Sequence, residues 1–103
     1  MMEFLDILEQ VKNERFRQIN EEGWSCAHDD THIHGELAFA AAAYTLEANS
    51  YIPPTEYPDL ITSNIWPWDM KWWKPKTPRR DLIRAAALIV AEIERLDRSA
   101  KQR

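Results

Sequence analysis

The sequence predicts an all-α fold: a compact domain of three main helices with a long Trp/Pro-rich segment packed on one side. Apolar residues recur at helical spacing in three separate stretches. The chain holds only two glycines, too few for the turns of a many-stranded β fold. Hydrophobic residues make up 45% of it and include five tryptophans, enough for one core. We therefore expect residues 1–103 to form a single domain.

The first helix is predicted over residues 3–22. Phe4, Leu8 and Val11 recur at spacings of four and three, which places them on one face of a helix. Gly23 follows the polar end of this stretch, where a glycine commonly ends a helix. The apolar face of this helix is expected to contact the core.

The second helix is predicted from about residue 32 to residue 48. Leu37, Ala40 and Tyr44 lie on one helical face. Ile33 extends that face by one turn, and the neighbouring alanines indicate close approach of another helix. The candidates for the N-cap of this helix are Asp29, Asp30 and Thr31.

The segment of residues 49–77 holds five of the six prolines and no glycine. A connection of this length in a small domain is usually functional or packed onto the body. Four of the five tryptophans lie within it, so it is not a solvated linker; they are Trp66, Trp68, Trp72 and Trp73. We expect at least two of these rings in the core and at least one against a ligand or a partner.

The last helix is predicted over residues 78–98, with Thr77 as its N-cap and Pro78 at its first position. Its apolar residues follow a 4-3-4-3 spacing, which is typical of the seam of a packed helix pair. They are Leu82, Ala86, Ile89, Ile93 and Leu96. This seam could serve the core of a monomer or the contact within a homo-oligomer, and the sequence leaves both open.

Composition excludes some classes of function. A net charge of −4 disfavours general nucleic-acid binding, which depends on basic patches. The single cysteine, Cys26, excludes an intramolecular disulfide and fits a reducing compartment. The longest apolar runs, residues 37–44 and 85–91, are too short to span a membrane. We expect a cytoplasmic protein without a membrane partner.

All three histidines fall in the run from His28 to Glu36, among three carboxylates. His32 and Glu36 are four residues apart and would share a face of a helix, which is a common half of a divalent metal site. His28 or Asp30 could complete a mixed nitrogen and oxygen set, suited to zinc, manganese or iron. The alternative is a capped helix with a weak His–Glu surface pair, and residue types favour it slightly. A divalent metal cofactor stays open.

The tryptophans stand beside a group of basic residues. Aromatic rings can stack on a nucleotide base, while Arg79, Arg80 and the start of the last helix take its phosphates. Arg15 and Gln18 share a helix face that could orient such a ligand, although residue types favour a solvated face of ion pairs. The candidate ligand-binding residues are Arg15, Gln18, Trp24, His28, Asp30, His32, Glu36, Trp66, Trp68, Arg79 and Arg80.

A rival interpretation is an enzyme. Glu94-x-x-Asp97 is similar to one of the two acidic pairs of the MazG-type nucleoside triphosphate pyrophosphohydrolases, which bind magnesium with the substrate phosphates. The other pair is incomplete, because Phe39 stands where a partner acid for Glu36 belongs. No residue is assigned a catalytic role.

The motifs occur in a specific order along nearly the whole chain. They are Glu14-Arg15-x-x-Gln18, Glu22-Gly23-Trp24, His28-Asp29-Asp30-x-His32, Gly35-Glu36-Leu37-Ala38, Trp66-Pro67-Trp68, Trp72-Trp73-Lys74-Pro75, Arg80-Asp81-Leu82-Ile83 and Ala91-Glu92-Ile93-Glu94-Arg95-Leu96-Asp97-Arg98. The order resembles a group of small proteins encoded by tailed phages and prophages. This resemblance implies a phage accessory protein in the bacterial cytoplasm and supplies no activity.

A fainter similarity is to the RyR domain, the repeat named for ryanodine receptors. Glu22-Gly23-Trp24, Asp29-Asp30, Trp66-Pro67-Trp68 and Asp81 match its motifs, whereas Ser25-Cys26 departs from them. It implies a pocket for an adenine-nucleotide-type ligand, lined by Trp24 and Trp68.

Taken together, the sequence favours a phage accessory protein that binds a small nucleotide-like ligand and sequesters or processes a host signalling nucleotide. The alternatives are the metal-dependent pyrophosphohydrolase and an inhibitor that binds a host protein through its tryptophan-rich loop.

Overall fold

A computed structural model describes residues 2–49 and 65–101 of the chain. The helices in these ranges are α1 (Met2–Glu22), α2 (Cys26–Asp29), α3 (Glu36–Glu47) and α4 (Pro78–Lys101), with a 3-10 turn at Met70–Trp72. No strand occurs within the same ranges, which confirms the all-α fold. Of the predicted Trp/Pro-rich segment, residues 50–64 lie outside the described part of the chain.

The core forms where α3 packs along α4. The buried face of α3 contributes Leu37, Ala40 and Tyr44, as expected from their spacing. The facing side of α4 contributes Leu88 and Ala91. Alanines on both helices let the two backbones approach closely, because a methyl group is the smallest side chain that still packs.

A layer of aromatic rings closes one side of this core. Trp66 is buried, with its ring centroid 5.5 Å from Tyr44 and 4.8 Å from Trp73. The backbone N–H of Lys74 donates to the Tyr44 hydroxyl (3.3 Å), and Arg84 donates to the Lys74 carbonyl. These contacts fix the described part of the segment, residues 65–77, on the helical body.

Polar residues, rather than the predicted apolar face, join α1 to the body. Glu14, Arg15 and Gln18 are buried, and Arg80 at the start of α4 donates to Glu14. The prediction that the apolar face of α1 contacts the core is wrong for its first two turns: every residue from 3 to 9 is exposed. The helix meets the body only further along, through charged and amide groups.

The sequence left open whether the seam of α4 lies in the core, and the burial of its residues shows that it does not. Ile83, Ala87 and Leu88 are buried, whereas Leu82 and Ile93 on the predicted seam are about half exposed. Small residues fill the inner side because α3 lies so close to it. The 4-3-4-3 spacing therefore describes the outer face of the helix.

The start of α3 lies four residues later than predicted. Ser25 accepts a hydrogen bond from the backbone N–H of His28 (3.2 Å) and caps the short α2 instead. Gly35, at a φ of 82°, turns the chain into α3. Ile33 consequently lies outside the helix and is exposed, so its predicted place in the core is wrong.

No helix within residues 2–49 and 65–101 has the length and apolarity that crossing a membrane requires.

Candidate functional site

A pocket of about 250 Å³ opens where the end of α1, the short α2 and the tryptophan-rich segment meet. The residues that line it are Glu22, Trp24, His28, His32, Trp68, Asp69 and Trp72. Three indole rings and two imidazoles thus surround a space that takes one planar ring system.

The aromatic walls of the pocket are held by ring contacts. Trp24 is buried and meets Trp68 edge to face, with centroids 4.9 Å apart and planes at 65°. Trp68 also lies 5.1 Å from the His32 ring and 5.4 Å from the core ring of Trp66. Its buried Nε1 has no hydrogen-bond partner among the described residues. The pocket wall is therefore continuous with the core.

The histidines form a hydrogen-bonded chain. Nε2 of His28 lies 3.2 Å from Nε2 of His32, and Nδ1 of His32 lies 3.2 Å from Oε2 of Glu36. Partial burial opposes ionisation of Glu36, but hydrogen bonds from the His34 backbone N–H (2.7 Å) and from His32 hold its pKa below the ordinary value. The ionised carboxylate accepts from Nδ1–H of His32, so Nε2 of His32 is left to accept from His28.

The same geometry decides which atoms are free to hold a metal. His32 and Glu36, the expected ligand pair, are instead bonded to each other, although they do not share a helix as predicted. Among the residues described, no three His, Cys, Asp or Glu side chains converge on a metal-sized space. The Nε2 atoms of His28 and His32 face each other at 3.2 Å. The coordinating nitrogens of two imidazoles bound to one tetrahedral zinc lie about 3.3 Å apart, so these two atoms have the spacing of zinc ligands.

Behind the pocket, a buried arginine ties α1 to α2 and α4. Arg15 donates to Asp29 (2.9 Å), to Glu94 (3.0 Å) and to the Trp24 carbonyl (3.4 Å). Burial raises the pKa of the fully buried Asp29 carboxyl, and Arg15 opposes that shift. Arg15 therefore faces the interior and positions Trp24 and α2; the solvated face favoured by residue types is wrong.

A second buried hub lies beside it. Glu14 accepts from Arg17 (2.8 Å), Gln18 (3.1 Å) and Arg80. Burial opposes its ionisation, but these partners together hold the pKa of Glu14 below its ordinary value. Arg79 donates to Gln10 (2.8 Å). Arg15, Gln18, Arg79 and Arg80, all expected to bind ligand, thus lie outside the pocket lining.

The remaining expectations divide between pocket and scaffold. Trp24, His28, His32 and Trp68 are brought together in the pocket lining, with Glu36 behind His32. Trp66 belongs to the core. Asp30 pairs with Arg98 (2.8 Å) on the surface and is absent from the lining.

Three lining residues were missing from the expected set: Glu22, Asp69 and Trp72. Glu22 accepts from Arg17 (2.9 Å), and Asp69 caps the 3-10 turn by accepting from the Lys71 backbone N–H (2.9 Å). Glu22 is two residues from Trp24, Asp69 is next to Trp68, and Trp72 is four residues from Trp68; that proximity is the signal that could have identified them.

Two lysines mark the rim. Nζ of Lys71 lies 5.4 Å from the centre of the Trp72 ring, and Nζ of Lys74 lies 5.7 Å from it. These are cation–π distances. The positive charge of the site is therefore outside the pocket, while the carboxylates of Glu22 and Asp69 lie in its lining.

Comparison of the chain with protein-family models, with curated proteins and with solved structures gives no match.

Proposed function

We propose that the protein binds a small nucleotide-like ligand whose base enters the pocket. The observation that supports this most directly is the lining, in which Trp24, Trp68 and Trp72 surround a space for one ring system. Stacking a base on an aromatic side chain contributes about 1–3 kcal/mol. The imidazoles of His28 and His32 supply polar contacts for the edge of a base.

The phosphate of such a ligand would point outward. Arg15 and Arg80, expected to bind it, are engaged by buried carboxylates. Glu22 in the pocket lining disfavours an anion inside. Lys71 and Lys74 over Trp72 offer the nearest basic groups to the mouth.

Thermal shift with adenosine, adenosine monophosphate and adenosine diphosphate tests this arrangement. A ligand at 100 times its dissociation constant adds about 2.7 kcal/mol of stability, which raises the melting temperature by several degrees. Trp72→Ala should abolish the shift, and Phe39→Ala, an exposed ring of α3 outside the lining, should leave it intact. No shift with any of the three compounds contradicts the proposal.

A bound divalent metal is a second proposal for the same site, favoured by the 3.2 Å separation of the two Nε2 atoms. The ion would lie between His28 and His32, and Glu36 would orient His32 from behind, as carboxylates commonly do for metal-binding histidines. Calorimetric titration with zinc should show binding that His28→Ala removes and His34→Ala retains. Equal binding by both variants would assign the zinc to another site.

The resemblance to phage proteins gives this proposal a biological role, in which the pocket would sequester a host signalling nucleotide.

The pyrophosphohydrolase alternative gains no support from the described contacts. Glu94 pairs with Arg15 and Glu36 pairs with His32. The alternative of an inhibitor that binds a host protein is supported by two exposed side chains in the tryptophan-rich loop, Met70 and Trp72.

A further inference from the structure

The outer face of α4 is apolar along most of its length. Five aliphatic side chains on it keep between 37% and 52% of their surface exposed; they are Leu82, Ile89, Val90, Ile93 and Leu96. The acids of this helix with well-exposed side chains, Glu94 and Asp97, lie toward its end. A lone exposed leucine is ordinary, but an aliphatic stripe of four turns is typical of a helix that packs against another.

The area of this surface fits an interface between two chains. The outer face of α4 exposes roughly 400 Å² of aliphatic side chain, at the size of the largest patch on a typical monomer. Only about 56–58% of a typical interface is non-polar, so about 400 Å² of aliphatic surface corresponds to an interface of roughly 700 Å² per chain. This is close to the 800 Å² that each partner contributes to a stable interface.

We propose that the protein is a two-fold homodimer in which the outer faces of two α4 helices pack antiparallel. The occupant is a second copy because the stripe is complementary to its own reverse. Run antiparallel around Ile89, the seam places Leu82 opposite Leu96 of the second copy. It also brings the small Ala86 within one residue of the large Ile93 of the second copy, so a small side chain meets a large one.

The parallel arrangement is worse on packing and on charge. It would set Ala86 against Ala86, leaving a gap, and Ile93 against Ile93. It would also bring the exposed Arg79 of both copies together. The antiparallel pair puts Arg79 within one turn of Asp97 of the second copy and opposes the two helix dipoles.

Sedimentation equilibrium measures the mass directly. The chain weighs 12.1 kDa, and the protein is expected at twice that mass. Ile89→Glu and Ile93→Glu should return it to the mass of one chain, with the helical circular dichroism retained because both side chains face outward. The melting temperature should fall, because association stabilises the folded state. A wild-type chain that sediments at 12.1 kDa at every concentration overturns the proposal.

Cysteine cross-linking tests the orientation. The exposed Cys26 is first changed to serine, so that each new cysteine is the only one. Ile89→Cys lies on the two-fold axis and should form a covalent dimer on oxidation, while Asn13→Cys, exposed on α1, should not. Leu82→Cys and Leu96→Cys should cross-link when mixed but not alone. Cross-linking of each alone, and not of the mixture, would show a parallel pair and overturn the antiparallel one.

Discussion

Replacing Arg15 with methionine removes the guanidinium that compensates a fully buried carboxylate. Asp29 has no exposed surface, and the 2.9 Å ion pair with Arg15 is the contact that neutralises it. Removing one partner of a buried pair costs about 3–5 kcal/mol, because the other charge is left without compensation. In a domain of this size 3 kcal/mol corresponds to a fall of roughly 12–24 °C in melting temperature. We expect the decrease in melting temperature of Arg15→Met to lie in that range.

The matched control is Arg98→Met. Arg98 pairs with Asp30 at 2.8 Å, but Asp30 is exposed and Arg98 is partly exposed, so the loss of stability should stay below about 1 kcal/mol. Urea denaturation followed by circular dichroism measures both variants. Arg15→Met/Asp29→Leu should recover much of the lost stability, because the stranded charge is gone. A cost for Arg15→Met no larger than that for Arg98→Met would refute the buried hub.

The pH dependence of the same variant has a definite sign. Burial raises the pKa of Asp29 in the folded state above its ordinary value of 3.8, and removing Arg15 takes away the main group that opposes the shift. A group with a raised folded pKa favours folding below its unfolded pKa, and this contribution is lost as the pH rises through the folded value. The deficit of Arg15→Met should therefore shrink toward pH 3.8 and grow toward neutrality. A deficit that is flat with pH would contradict this origin.

Three further substitutions test other parts of the scaffold. Glu14→Gln should lower the free energy of unfolding by about 2 kcal/mol above pH 4.5 and by progressively less below it. The reason is that the lowered pKa of Glu14 makes this side chain stabilising only when it is ionised. A stability deficit that grows on acidification would contradict this. Gly35→Ala should lower the urea midpoint by an amount equivalent to about 1–2 kcal/mol, because its φ of 82° strains a side chain; an unchanged midpoint would refute that strain. Leu37→Ala should cost about 2–5 kcal/mol while the exposed Leu46→Ala on the same helix stays near neutral, and equal losses would contradict the assigned inner face of α3.

The sequence predicted the helices well because their signals are local. The end of α1 before Gly23 and the start of α4 at Pro78 follow from glycine and proline rules that need no tertiary information. The start of α3 did not follow, because Ser25 capped an unpredicted turn and Gly35 took a left-handed conformation. Boundaries of this kind depend on which of several polar residues becomes the cap.

Periodicity identified the apolar stripe of α4 but could not assign it to the inside. A helix with alanines on one side and larger aliphatic residues on the other carries two apolar faces, as Ala87 and Ile93 show. The small residues lie on the face that packs more closely, and which face this is depends on where the neighbouring helix lies. The buried polar groups of α1 could not be predicted for a similar reason. Glu14 and Arg15 are residue types of a solvated helix face, and only their partners in α2 and α4 show that they are buried.

The sequence predicted four of the residues that line the pocket. Trp24 and Trp68 were named from a motif resemblance, and His28 and His32 from their density along the chain. The arginines were misassigned because residue type shows a charge and not what neutralises it. Arg15 illustrates this, since its carboxylate partner lies 14 residues away in sequence.

The indole N–H resonances of the five tryptophans test the central claim most directly. In a ¹⁵N-labelled sample titrated with adenosine monophosphate, the indole signals of Trp24, Trp68 and Trp72 should shift, because a base in the pocket changes the surroundings of all three rings. The signals of Trp66 and Trp73, which pack on the core, should move least. Five unmoved signals, or shifts confined to Trp66 and Trp73, would contradict a base-binding pocket.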